Sequence, residues 1–424
     1  MATRQARLAR LTQKQRHDLR YDWLYWARRG QRMPEGDWQY WLILAGRGYG
    51  KTRVGAETVR EWNKQGFRYV NLIGATKDDA RDIMVDGESG ILAVCPKSER
   101  PVYIGNKNQL RWPNGAVSLV FSADEPDRLR GKQHEKLVCE ELASWRYPDA
   151  WDQAMLGLRL GKNPQAVIPT TPRPTAIIKR LMVDPNTLLT RGSTYENKDN
   201  LATSFVSKIV QRYEGTRLGR QELYAEVLDD NPGALWKRDN LDALRVLKAP
   251  ELVRVVVAID PSATSGGDEA GIIVAGIAKD GQGYVLDDMS IQASPHAWAS
   301  AAIVGYHKHK ADRIVAETNN GGEMVELTLR TVDMTIPYTA VHASRGKQTR
   351  AEPIAALYEQ GKVHHVGTFA SLEDELCEWV PGAASPNRLD ALVWALTELM
   401  LNVPEQDDYH GVVELSDRVE ISAF

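Results

Sequence analysis

The chain has 424 residues, beyond the roughly 250–300 at which one hydrophobic core stops growing, so two domains are expected. Hydrophobic residues make up 43% and charged residues 26%, and no apolar run approaches the ~20 residues of a membrane span, which excludes a transmembrane reading. The net charge of −3, from 53 Lys+Arg against 56 Asp+Glu, confines any nucleic-acid surface to a local patch.

The N-terminal stretch MATRQARLARLTQKQRHDLRYDW is basic but lacks the apolar centre of a signal peptide. Residence in a cytosol is expected, and the three widely separated cysteines, Cys95, Cys139 and Cys377, fit a reducing compartment rather than a disulfide framework or zinc knuckle. Apolar strand-like runs alternate with helical patterns throughout, which predicts α/β architecture. A first series runs through YWLILA, RYVNLIGAT, KLVCEE and QAVIPTTP, with QLRWPNGAVSLVFSA reading as a hairpin that turns at Pro113-Asn114-Gly115. A second series runs through RVVVAIDPSA, AGIIVAGIAKDGQGYVLDDMSI, ADRIVAET and IPYTAVHAS, with helices expected near 295–310 and 388–401.

Between the series lies the polar stretch DDNPGALWKRDNLDALRVLKAPE, punctuated by Pro232, Gly233 and Pro250. It divides the chain into a first domain at 1–235, a linker at 236–250 and a second domain at 251–402, followed by an acidic, weakly patterned tail at 403–424.

The segment LILAGRGYGKTRVGAE nearly spells the phosphate-binding pattern G-x-x-x-x-G-K-[ST], with Ala45 in place of the first glycine. Gly46, Gly48 and Gly50 supply a permissive turn between strand and helix. At such a helix start the free backbone N–H groups hold phosphate, Lys51 reaches the β/γ-phosphates and the Thr52 hydroxyl takes Mg²⁺. An ATPase also needs acids at the end of another strand, and LVCEELASW supplies them. Glu140 stands in the metal-supporting position and Glu141 in that of the general base that activates water. In PTTPRP, Thr170 and Thr171 are placed to hydrogen-bond a γ-phosphate. Arg47, Arg128 and Arg130 are candidates for the cation that phosphoryl transfer requires. Taken singly, such glutamates and threonines also read as ordinary strand ends and turns.

In the second series Asp260 and Glu317 end strands and Asp390 sits early in a helical run. Three such oxygen ligands can converge at one sheet edge and hold two Mg²⁺ or Mn²⁺ ions that align water and stabilise a leaving oxygen. Asp268 is a candidate fourth carboxylate. Lys347 and Arg350 read as contacts to a scissile phosphate or to DNA, or as solvated surface charge. His307, His309, His364 and His365 lack the spacing of a zinc site and read as structural or surface residues.

The ordered set LAGRGYGKTRVGAE, DRLRGKQHEKLVCEELASWRYPDAW, TTPRP, AIDPS, VAET and SPNRLDALVWAL resembles the large terminase subunit of tailed bacteriophages and gene transfer agents, from about Trp23 to about Leu401. The resemblance implies a P-loop NTPase domain, mainly a parallel sheet flanked by helices, followed by an RNase H-like nuclease domain with a mixed sheet. It implies an ATP-driven motor that moves double-stranded DNA into a preformed procapsid and an endonuclease that cuts concatemeric DNA. Its implied partners are the portal protein, a small terminase subunit and further copies in a ring, a pentamer on the portal. The expected location is the host cytoplasm and, transiently, the procapsid, but not the mature particle.

On this resemblance Lys51 and Thr52 are the phosphate-loop residues, Glu141 the catalytic glutamate, Thr170 and Thr171 the coupling motif, and Asp260, Glu317 and Asp390 the nuclease acids. Arg47 matches a loop arginine, Arg130 lies near trans-acting finger positions, and ARRGQRMPEGDWQYW makes Gln31 and Trp38 adenine-side contacts. Two departures stand out: Glu140 where many relatives carry Asp, and Ala45. A DNA-repair helicase-nuclease, or an ATP-binding scaffold with weakened turnover, would use many of the same residues.

Overall fold

A computed structural model of the chain describes residues 11–205, 207, 217–228, 230–261, 269–318, 322–341 and 347–401. Asp268 and the tail at 403–424 lie outside the described residues. Among the described residues no helix is long and apolar enough to cross a membrane.

The first series folds into a sheet of eight strands: β1 (Tyr40–Ala45), β2 (Val70–Gly74), β3 (Val102–Ile104), β4 (Gln109–Arg111), β5 (Val117–Ser122), β6 (Lys136–Cys139), β7 (Gln165–Thr170) and β8 (Thr187–Gly192). Their order is β3-β4-β5-β2-β6-β7-β1-β8. From β5 to β8 the pairing is parallel, and β3, β4 and β5 pair antiparallel. The expected hairpin is β4–β5, closed where Gly115 N–H bonds Trp112 O and Gly115 takes φ 84°. The strand β1 reads as an unbroken apolar run because both faces are covered. Trp41, Ile43 and Ala45 enter one core, while Leu42 and Leu44 enter the other.

One topological detail places the chemistry. The strand β7 lies between β1 and β6, parallel to both, with Leu44 opposite Thr170. The loops that leave the C-terminal ends of these three strands therefore meet at one sheet edge, where ligands of open α/β sheets bind.

The second sheet contains β9 (Leu252–Asp260), β10 (Gly271–Ala278), β11 (Gly283–Asp288), β12 (Arg313–Glu317), β13 (Tyr338–Val341) and β14 (Val363–His365), in the order β13-β12-β9-β10-β11-β14. The strands β9, β10 and β11 form an antiparallel meander; β12 pairs parallel to β9, with Ala316 opposite Ile259. The next residues, Asp260 and Glu317, thus end side by side. The expected helices form at Pro295–His309 and Asn387–Leu396, on opposite faces of the sheet. Asn387 packs so closely that a Cβ on Gly271 would lie 2.0 Å from its carbonyl oxygen. Only glycine permits that approach, which brings the start of the helix, and Asp390 with it, beside the end of β9.

The segment expected as a linker is not a free tether. It contains a helix, Arg238–Ala243, and buries Trp236 and Leu241 in the core of the second sheet. Arg238 Nη2 meets Asp374 Oδ1 at 2.6 Å, and Val246 N–H bonds His365 O at 2.9 Å. Prolines and glycine mark the ends of this segment, but its apolar residues dock it.

Candidate nucleotide and nuclease sites

At the end of β1 the chain turns through Gly48 (φ 73°) and Gly50 (φ 97°) into the helix Lys51–Lys64. These are left-handed conformations that glycine adopts without steric cost. Gly46 is needed for a different reason: a Cβ there would lie 2.5 Å from Glu222 O and 2.7 Å from Thr194 Oγ1. Ala45 faces neither demand. It is buried in β1 outside the left-handed region, and its carbonyl accepts Lys51 Nζ at 3.0 Å. The loop is braced from outside, since Arg28 Nη2 and Gln31 Nε2 both donate to Tyr49 O, at 2.5 and 2.9 Å.

Lys51, Thr52, Glu141 and Thr171 line one cleft of about 520 Å³. Glu141 follows β6 in a left-handed conformation, φ 50° and ψ 45°. For a residue with a Cβ this costs about 1–2 kcal/mol, a strain that proteins retain chiefly at functional positions. The turn aims its carboxylate at the end of β7, where Thr171 N–H and Oγ1–H each donate to Oε2 at 2.9 Å. Lys51 Nζ lies 3.2 Å from Glu141 Oε1. Burial opposes the charge on Glu141, but Lys51 and the two Thr171 donors outweigh it and hold its carboxyl below the usual value.

Glu140 has the opposite environment. It is buried, and burial, reinforced by the neighbouring Glu141, pushes its carboxyl up to about 8. Thr52 Oγ1 donates to Glu140 Oε1 at 2.7 Å. A hydroxyl and a carboxylate in contact, with too little positive charge around them, are a hard-oxygen pair suited to Mg²⁺.

The other sequence candidates take varied positions around this cleft. Trp38 belongs to the core with Trp41, and its indole N–H donates to Pro34 O. Gln31 is buried with its amide bonded to Arg28 N–H and Tyr49 O, against the phosphate loop. The Thr170 hydroxyl accepts Ala143 N–H at 3.0 Å behind the cleft, which leaves Thr171 as the threonine that lines it. Arg47 lines the cleft with its guanidinium held 2.8 Å from Glu222 Oε2. Arg130 pairs with Asp127 and Arg128 with Glu125, in a separate basic cavity. A larger cavity of about 850 Å³ lies against His17, Tyr21, Arg60 and Glu99 and contains none of the phosphate-loop residues.

In the second domain Asp260 and Glu317 end the parallel neighbours β9 and β12, and Asp390, from the helix Asn387–Leu396, stands near enough for its charge to act on Asp260. Burial, then the charges of Asp390 and Glu317, push the Asp260 carboxyl up to about 8, with Lys347 and Arg350 partly offsetting them. Asp390 Oδ2 is bound by Lys347 Nζ at 2.5 Å and by the Ser385 hydroxyl. Glu317 Oε2 accepts the Trp394 indole N–H at 2.9 Å and stands 3.5 Å from Arg350 Nη1.

Lys347 and Arg350 stand on the same cluster, Lys347 with its side chain 46% exposed. Both face the acids, and the Arg350 side chain is only 11% exposed, over the Trp394 ring. The oxygen donors suit hard divalent ions. Among the described residues, however, no three acidic, His or Cys side chains stand close enough to hold one ion. Cations sit on two of the three acids, Lys347 on Asp390 and Arg350 on Glu317.

The histidines have other partners: His309 meets Asp287, His307 meets Asp333, His364 meets Gln282, and His365 lies between Tyr358 and Glu373. Thr194 and Glu222, which brace the phosphate loop, carried no sequence motif, and Arg28 was visible only as an arginine in ARRGQRMPEGDWQYW. Arg173 lines the cleft and was visible only as an arginine in TTPRP.

No curated protein matches the chain. Among solved structures it is similar to the large terminase of a thermophilic bacteriophage, at 14% identity over 91% of this chain and 98% of that one, with a TM-score of 0.43. It is also similar to the large terminase of bacteriophage HK97, at 11% identity over 86% and 92%, with a TM-score of 0.38. Two family models together span most of the sequence: the N-terminal model of the terminase large subunit, T4likevirus-type, matches residues 42–243, and the terminase RNaseH-like domain matches residues 257–399. The chain belongs to the terminase large subunits, with an ATPase domain followed by an RNase H-like nuclease domain.

Proposed function

We propose that the chain hydrolyses ATP to move double-stranded DNA into a preformed procapsid and cuts concatemeric DNA in its second domain. The observation that carries this reading is the meeting of Lys51, Glu141 and Thr171 past the ends of β1, β6 and β7, in one cleft with free backbone N–H groups at a helix start. Lys51 would hold the β/γ-phosphates. Its move to the phosphates would leave the Glu141 carboxylate held by Thr171 alone and able to take a proton from attacking water. Mg²⁺ held by Thr52 and Glu140 would neutralise phosphate charge. Thr171, bonded to Glu141 by backbone and side chain, would register the loss of the terminal phosphate.

In the nuclease domain Asp260, Glu317 and Asp390 would hold divalent ions, Mg²⁺ or Mn²⁺, that activate water and stabilise the leaving oxygen. Lys347 and Arg350 keep those acids partly neutralised until then. Arg130, 68% exposed on a separate surface, suits the nucleotide of a neighbouring subunit, while Arg47 lies over its own cleft. An arginine acting in trans calls for a ring, taken as a pentamer on the portal, with a small terminase subunit selecting the DNA. The working location is the host cytoplasm and, transiently, the procapsid. The ATPase would occupy residues 1–235, the nuclease 251–402, with 236–250 docked on the nuclease.

The test is ATP-dependent protection of linear DNA from nuclease by purified procapsids bearing portal. The proposal predicts protection only with portal present. Strand separation in its absence would favour a repair helicase-nuclease, and nucleotide binding without phosphate release would favour an inert scaffold.

A further inference from the structure

Arg173 follows β7 in the sequence Thr171-Pro172-Arg173-Pro174, and its N–H bonds Thr171 O at 2.9 Å. The proline on each side restricts the backbone, so the side chain leaves the sheet edge in a defined direction. It enters the cleft that also contains Lys51, Glu141 and Thr171. The side chain is only 14% exposed, yet its Nε makes no hydrogen bond and stands 3.4 Å from Asp374 Oδ2 of the nuclease domain.

Asp374 is already engaged. Its Oδ1 accepts Arg238 Nη2 at 2.6 Å, and the Arg238 side chain is 3% exposed. Arg173 therefore holds the longer and weaker of two contacts to one carboxylate. A mostly desolvated guanidinium with an unbonded Nε–H is costly, and a polyphosphate offers it short, charge-assisted, bidentate partners. Arg47, another arginine of the cleft, is 60% exposed and bonded to Glu222 at 2.8 Å.

We propose that Arg173 is a nucleotide-binding cation, which the terminal phosphate of a bound nucleoside triphosphate draws away from Asp374. This rests on the reading of the cleft as a nucleotide site. Occupancy by a triphosphate and the Arg173–Asp374 contact are then alternatives. The nuclease domain senses the nucleotide through a single side chain that reaches both.

The experiment measures binding of fluorescent ATP and ADP analogues, with Mg²⁺, to the full chain and its variants. Arg173→Ala is expected to weaken ATP binding about tenfold and ADP binding far less, with Arg173→Lys restoring part of the difference. Asp374→Asn is expected to tighten ATP binding several-fold. Equal ATP affinity for Arg173→Ala and the parent, while Lys51→Ala loses binding, overturns this proposal alone. If Lys51→Ala also binds as the parent does, the nucleotide-site reading itself fails. Unchanged affinity in a folded Asp374→Asn overturns the exchange. Because Asp374 also holds buried Arg238, the ATP-to-ADP ratio of Arg173→Lys decides the phosphate contact without that variant.

Discussion

Thr52 Oγ1 donates to Glu140 Oε1 at 2.7 Å, so the hydroxyl at the start of the phosphate-loop helix meets the acid at the end of β6 directly. The longer side chain that distinguishes Glu140 from aspartate is what spans this gap. Glu140→Gln keeps the shape and removes the group that must ionise to hold Mg²⁺, and is expected to raise the Mg²⁺ requirement for ATP hydrolysis by about 10–100-fold. Glu140→Asp keeps that group, withdraws it from Thr52, and should fall between parent and Gln. A Mg²⁺ titration of steady-state phosphate release orders the three.

Ala45 and Gly46 separate two meanings of glycine in the same loop. Ala45→Gly restores the consensus letter at a buried strand position that needs no left-handed backbone, so ATP hydrolysis should be unchanged while stability falls by about 0.5–1 kcal/mol. Gly46→Ala drives a methyl into Glu222 O and should abolish nucleotide binding. Thermal melting with and without nucleotide reads stability and binding, and steady-state phosphate release reads hydrolysis.

Asp260 links metal to pH. Its carboxyl keeps a proton up to about 8 in the folded chain, whereas an unfolded chain releases it near about 4. Between these limits the unfolded state binds fewer protons, so stability falls as pH rises, and Glu140 adds a slope of the same sign. A divalent ion requires the ionised form. The rise in melting temperature produced by Mn²⁺ should therefore be larger at about pH 9 than at about pH 6, and Asp260→Asn should remove it.

Lys347 Nζ on Asp390 Oδ2 places a positive charge beside a carboxylate that a divalent ion would use. Lys347→Ala is expected to tighten Mn²⁺ binding several-fold in calorimetry without DNA. A surface residue that only contacts DNA would leave metal affinity unchanged and reduce the salt dependence of DNA binding instead.

The parts legible in the sequence are those with a local rule. Runs such as YWLILA and RVVVAID show buried strands, G-K-T shows a phosphate loop, and strand-end acids show where chemistry can gather. Short edge strands such as β3, β8 and β14 were not legible, because each is fixed by its neighbour and carries no pattern of its own. The docking of 236–250 was hidden for a related reason: Pro232, Gly233 and Pro250 are conspicuous, whereas Trp236 and Leu241 find their core only through long-range packing. Side-chain direction was the least legible property. Lys347 and Arg350 read alike as phosphate or DNA contacts or as solvated charge, and Thr170 and Thr171 read alike as phosphate contacts until β7 is set between β1 and β6.

The most direct test of the account is a paired measurement of phosphate release and plasmid cutting, with Mg²⁺ or Mn²⁺, on the parent, Glu141→Ala and Asp260→Ala. The account predicts that Glu141→Ala abolishes hydrolysis and still cuts, while Asp260→Ala abolishes cutting and still hydrolyses. Survival of both activities in both variants would contradict it.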